Sequence, residues 1–291
     1  MIRILFLFLT VSRVLAEDRP EAPSAYFSQI VETLLVEMNE SKYQHTTEID
    51  EKTGVWNCDC SGLMGHILRR HFPEAYLHVD GPTRPERTRP LAANFCETFI
   101  ATGEKNTKGI PWKRIIKVID LRPGDLFAWK SLKIVKGKST GHVLMIAGTP
   151  KLDDNGLYRV RVVDSTRGLH ANDSRTQETL GVGSGDIWLS ADKDGNLNGF
   201  KNSHRRSVSL KNTVAAGRIT RLEGRVIPDK KEDRAFLNLA PEEAQTLAKQ
   251  RGLRSRIIMQ EGKSVAVSRK IEKSRLNFII ENGKVARTCR G

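Results

Sequence analysis

Asn57-Cys58-Asp59-Cys60-Ser61-Gly62-Leu63-Met64 is the stretch on which the fold turns. From Ser61 the apolar positions Leu63, Met64, Ile67 and Leu68 follow helical spacing, which predicts a helix to about His71 with Pro73 as its stop. Cys60 would then sit where the helix dipole and unpaired amides stabilise a thiolate. The same amides can hold an oxyanion on an attacked carbonyl. Gly62 removes a side chain where a substrate or another element needs to come close. A structural cysteine, disulfide-bonded in an oxidising compartment, is the competing use; with Cys60 free, Cys58–Cys96 is the pairing left open.

Upstream, Phe27, Ile30, Val31, Leu34, Leu35 and Met38 predict a helix from Ser24, its N-cap, to about Asn39. A polar loop follows from Tyr43 to Trp56. Downstream, Leu91, Phe95 and Phe99 share one face of a helix from about Pro90 to Ala101. After Pro111 the pattern turns to strands: Leu126–Trp129, Val143–Ala147, Tyr158–Val163, Asp186–Leu189 and Arg218–Val226. Asp192-Lys193-Asp194-Gly195 is a hairpin turn rather than a calcium loop, because the remaining ligands of such a loop are missing. A charged linker spans residues 228–235. Beyond it come a helix at Pro241–Gln250, strands at Arg254–Met259, Ser264–Val267 and Leu276–Ile280, an Asn282-Gly283 turn and a last strand Lys284–Cys289. The class is α+β, with one unit over 17–227 and a smaller one over 236–291.

A thiol nucleophile needs a base. Of seven histidines, His142 stands out because it opens the apolar strand Gly141–Gly148, where it is fixed yet able to face a cleft. A symmetric hairpin about residue 153 sets His142 opposite Asp164, at the ~4.5–5.5 Å of cross-strand neighbours. A one-residue slip would turn Asp164 to the other face. His170 and Asp173 are the competing pair. Cys58-x-Cys60 with His66 or His71 lacks common zinc spacing, so neither a metal nor a cofactor is expected.

Asp59-Cys60-Ser61-Gly62-Leu63, Arg122-Pro123-Gly124-Asp125-Leu126 and Gly141-His142-Val143, in that order, resemble the NlpC-type papain-like cysteine hydrolases, and the resemblance covers roughly residues 24–225. It implies a papain-like domain of helices on an antiparallel sheet that cuts amide bonds, mostly in peptidoglycan stem peptides. It also implies Cys60 as nucleophile, His142 as base, Asp164 as the orienting residue and Tyr43 as the cleft tyrosine. Asp59 and Ser61, beside the nucleophile, are taken as substrate-binding. CHAP-type amidases share the second and third motifs.

Residues 236–291 are similar to small serine-peptidase-inhibitor domains of the potato-inhibitor-I type. That similarity implies a protease-binding loop over residues 260–273, with a serine peptidase as partner. No cysteine precedes the unit after Cys96, so Cys289 lacks the family's usual partner; a docking module or a lid is the other use of this unit.

Residues 1–16 have Arg3, an apolar core Ile4–Val11 and Val14/Ala16 before a cut, the pattern of a signal peptide. The expected product is secreted or periplasmic, without a later membrane span. The 291 residues carry a net charge of +14, unevenly placed: residues 17–60 balance at −7 and residues 201–291 at +13. This points to docking between the halves, to an anionic envelope polymer, or to a merely solvated face. With aromatics at 6% and export expected, nucleic acid is not an expected partner.

Overall fold

The computed structural model describes residues 23–79, 89–103, 110–135, 139–202, 208–221, 231–261, 263–265, 267, 272 and 274–290. Residues 1–16, where a signal peptide is expected, residues 222–230 and much of the expected 260–273 loop lie outside the described residues.

The first unit begins with α1 (Pro23–Glu37), a small hairpin of β1 (Glu48–Asp50) and β2 (Val55–Asn57), α2 (Cys60–His71), α3 (Pro73–His78) and α4 (Ala92–Ala101). The strands β3 (Trp112–Ile115), β4 (Leu126–Lys130), β5 (Gly141–Ile146), β6 (Lys151–Leu152), β7 (Tyr158–Thr166), β8 (Gly181–Ala191), β9 (Leu197–Lys201) and β10 (Thr213–Ile219) follow. They form one antiparallel sheet in the order β3-β10-β4-β5-β7-β8-β9, with β6 beside β7. The mixed α+β class is as expected.

Several local expectations change. Pro73 ends α2 but also opens α3, where a missing N–H costs nothing. The supposed loop 43–56 contains the β1–β2 hairpin, whose three-residue strands are too short to show alternation. Ser24 lies inside α1 rather than capping it, and its hydroxyl accepts from Arg122 Nε at 3.2 Å. Of the strand expected over 218–226, Arg218 and Ile219 lie at the end of β10, which already starts at Thr213 and buries Ala215, Ala216 and Ile219, while residues 222–226 lie outside the described residues.

Alternation along the central strands makes two cores. Leu126, Ala128, Val143 and Met145 face the helices, packing with Phe27, Val31, Leu63, Ile67, Phe95 and Phe99. Phe127, Leu144, Ile146 and Val162 face the other way, with Leu189 and Phe200. Phe127 on β4 meets Phe200 on β9 at 6.0 Å between ring centroids, although three strands separate them in the sheet. The sheet therefore curls over its second face. At Gly124, φ is +87° and a Cβ would run into the Ser24 carbonyl, so this turn both requires glycine and seats α1.

The second unit has a 3-10 turn at Lys231–Phe236, then α5 (Pro241–Gln250), β11 (Ser255–Gln260), β12 (Lys263–Ser264), β13 (Leu276–Glu281) and β14 (Lys284–Arg290). The sheet order is β12-β11-β13-β14, with β11 and β13 parallel. Phe236, Ala244, Ala248, Leu276, Phe278, Ile280 and Val285 form its own core. Asn282 and Gly283 take φ of 52° and 70°, the left-handed pair that a tight hairpin demands.

The two units meet on α2. Residues Cys60 to Arg69 are all buried, not one face of them, because sheet, α3 and second unit surround the helix. Arg69 donates to the Val265 carbonyl, and Arg70 reaches Glu281 at 3.7 Å and Met259 Sδ at 3.7 Å. Lys52 pairs with Glu261 at 3.5 Å. These two ion pairs put the cation on the first unit and the carboxylate on the second, opposite to the bulk charge asymmetry.

Candidate active site

Asp59 starts α2. Its backbone is extended, and its Oδ1 accepts the Gly62 N–H at 2.7 Å, an N-cap that fixes the first turn around Cys60. Ser61 Oγ donates to the same oxygen at 3.0 Å. Arg89 closes the arrangement: Nη1 lies 3.1 Å from Oδ1 and 2.7 Å from Ser61 Oγ, and Nη2 lies 2.8 Å from Oδ2. Burial opposes ionisation of Asp59, but Arg89 holds the carboxyl below its usual range. Asp59 and Ser61 are thus engaged with each other and with Arg89. Gly62 leaves room not for a substrate but for Thr47 and Cys58, whose atoms would stand 2.6 and 3.1 Å from a Cβ.

Cys60 is 5% exposed. The Cys58–Cys96 pairing does not form; all three of Cys58, Cys60 and Cys96 are free thiols. Cys58 sits against the Trp56 carbonyl, while Cys96 on α4 points to the Thr213 carbonyl of β10, so the two face different elements. Burial pushes the Cys58 thiol up, and pushes Cys96 up to about 11.

His142 is the second residue of β5 and pairs with Trp129 of β4, their rings 4.7 Å apart. Its Nε2 lies 2.6 Å from Asp164 Oδ2, and it hydrogen-bonds the Cys60 thiol. Burial alone would lower the imidazole. The Cys60 charge and the Asp164 contact overcome it and raise His142 to about 10. The structure therefore brings Cys60, His142 and Asp164 together.

It does so in a different register from the symmetric hairpin. Met145 pairs with Val163 and Ile146 with Val162, two residues away from the expected pairing, because the β6 segment makes the connection irregular. Asp164 is consequently a diagonal neighbour of His142. A two-residue shift keeps the same face, and the long side chains still reach.

Asp164 is fully buried, and two imidazoles and a guanidinium surround it. His142 and His170 both face Oδ2, the latter at 2.8 Å, and Arg175 Nη1 lies 2.9 Å from Oδ1. Burial would raise this carboxyl, but His170 and His142 hold it well below the usual range. Asp173, half of the competing pair, instead accepts the His170 backbone N–H at 2.7 Å and pairs with Arg175 Nε at 2.8 Å.

Tyr43 also reaches the site. Burial, together with the charges on Cys60 and Asp59, pushes its phenol up to about 12. Arg167 lies over its ring at 4.9 Å, and His45 meets it edge-on at 5.7 Å. Arg89, Arg167 and Arg175 were not anticipated; each is distant in sequence or sits in a loop without a motif. Asp125 of the Arg122–Leu126 motif is structural: its carboxylate takes Arg218 Nε at 2.7 Å and the Arg122 N–H at 3.0 Å.

Among the described residues no group of three or more His, Cys, Asp or Glu is placed to hold a metal, and no helix is long and apolar enough to cross a membrane. No protein-family model, curated protein or solved structure matches the chain.

Proposed function

We propose that the chain is an exported cysteine hydrolase of papain-like design that cleaves amide bonds. The observation that carries the reading is one imidazole held between a helix-end thiol and a buried carboxylate, with Nε2 2.6 Å from Asp164. His142 takes the Cys60 proton, and Sγ attacks the amide carbonyl. The Cys60 backbone N–H, at the start of α2 and ahead of the Gly62 N–H that Asp59 takes, is the donor offered to the oxyanion. As the C–N bond breaks, His142 passes its proton to the leaving amine. His142 then deprotonates water, which cleaves the thioester and releases acid and free thiol. Asp164 keeps the imidazole oriented throughout.

Peptide amides of the bacterial wall are the substrate class that the three motifs favour. Incubating wild type and Cys60→Ser with peptidoglycan fragments, and weighing the products, tests this. New products gain the mass of one water at a single amide bond with wild type only.

The second unit supports a second reading. Its parallel β11–β13 pair, joined through the segment before Leu276, agrees with an inhibitor-like unit with a protease-binding connection. The start of that segment is held at Val265 by Arg69, which favours intramolecular docking over a free reactive loop. Inhibition of trypsin- and subtilisin-like proteases by the full chain, absent from a chain ending near Lys230, would favour the inhibitor reading.

A further inference from the structure

The surroundings of Asp164 contain more than orientation of one imidazole requires. His170 and Arg175 are 4% and 3% exposed at the side chain, so both are committed to the interior. Room for them is built into β8. A Cβ at Gly183 would come within 2.5 Å of Arg175 Cγ, and one at Gly185 within 2.5 Å of His170 Cβ. Both glycines lie on the same face of β8, two residues apart, and neither has a positive φ, so space rather than backbone conformation explains them. His170 is pinned from every side: Nε2 to Asp164 Oδ2, Nδ1 to the Asn202 carbonyl at 3.3 Å, and its backbone N–H to Asp173.

We propose that His170 is a positioning residue that tempers the hold of Asp164 on His142 by sharing the same carboxylate oxygen. This rests on the Cys60–His142 reading above. A buried carboxylate facing a single imidazole would grip the imidazolium tightly, because the low dielectric strengthens the pair. The reaction instead needs that proton to leave for the amine. A second donor on Oδ2 divides the negative charge that His142 faces. Arg175 pairs with Oδ1 and is itself held by Asp173. The other charged groups around the cluster are Cys60 at the head of α2 and, beyond it, the Asp59–Arg89 and Tyr43–Arg167 pairs.

The test is the pH dependence of Cys60 alkylation by iodoacetamide in the full chain, followed by mass for wild type, His170→Leu, His170→Gln and His142→Ala. The alkaline inflection, where the imidazolium is lost, should move up by about one pH unit in His170→Leu, the scale of one charge-assisted hydrogen bond. Glutamine can place an amide N–H where Nε2 stands, so His170→Gln should keep the inflection near wild type. Equal positions in wild type and His170→Leu, or equal displacement in leucine and glutamine variants, would overturn the role given to His170. Should His170→Leu fail to fold, His170→Asn replaces it, since asparagine is too short to reach Oδ2. In His142→Ala the profile should reduce to the single alkaline rise of an unassisted thiol, with the reactivity at neutral pH lost. Survival of the neutral-pH reactivity in His142→Ala would overturn the Cys60–His142 reading itself, whatever His170 does.

Discussion

The two ends of α2 are held by different means. At the N-terminal end a capping carboxylate, its arginine partner and a buried imidazole–carboxylate pair surround one thiol. At the C-terminal end, roughly 16 Å away by helix rise, Arg69, Arg70 and His71 face the second unit and the β1–β2 hairpin. Both ends suit the helix dipole, with negative charge favoured at the first and cations at the second. The first end concentrates groups that can exchange protons, whereas the second fastens two units with contacts that need no chemistry. One helix therefore joins the candidate site to the second unit without placing that unit's described contacts over Cys60.

The largest effect expected is on turnover at the front end. Cys60→Ser and His142→Ala should each lower amide hydrolysis by about a thousandfold or more, and Asp164→Ala by a smaller factor, with the fold intact by circular dichroism. If Asp173→Ala matched Asp164→Ala, the assignment of the orienting carboxylate would be wrong.

Packing is the next largest. Leu63 is fully buried between the two ends, and Leu63→Ala should cost about 2–5 kcal/mol in urea unfolding. A cost below 1 kcal/mol would mean that α2 is not the shared spine described above.

At the back end, Arg70→Ala removes pairs with Glu51 at 2.8 Å and Glu281 at 3.7 Å. The expected cost is about 1 kcal/mol. It should appear as faster amide exchange in β11 and β13, with Cys60 alkylation unchanged. A matching fall in alkylation would show that the ends are coupled.

The last effect, absent at neutral pH and growing only on acidification, is acid sensitivity at His71. Burial, with help from Arg287, pushes this imidazole down to about 3 from an ordinary 6.5. The unfolded chain therefore binds the proton first, and stability contributed by neutral His71 falls as pH drops from about 6.5 towards 3. His71→Gln should flatten the unfolding curve over that window; an unchanged slope would place the acid sensitivity elsewhere.

Much of the front end was legible. Cys60 was marked by the helix it opens, and His142 by the apolar strand it opens. Asp164 was reached through a register two residues off, because period-two alternation fixes the face even where an irregular connection hides the offset. Arg89, His170 and Arg175 were less legible for a physical reason: their roles arise from long-range packing, and only His170 stood close enough in sequence to be weighed. Helical spacing showed one apolar face of α2 but not its burial all round, since the second unit supplies the remaining cover. The charge asymmetry suggested docking between the halves, yet the Arg70–Glu281 and Lys52–Glu261 pairs follow local geometry and run against it.

The most direct test of the central claim is selective labelling of the native chain with iodoacetamide near neutral pH. Cys60 should react far faster than the buried Cys58 and Cys96, and His142→Ala should remove that advantage. Labelling of Cys60 at the rate of an ordinary thiol, unchanged by His142→Ala, would contradict the account.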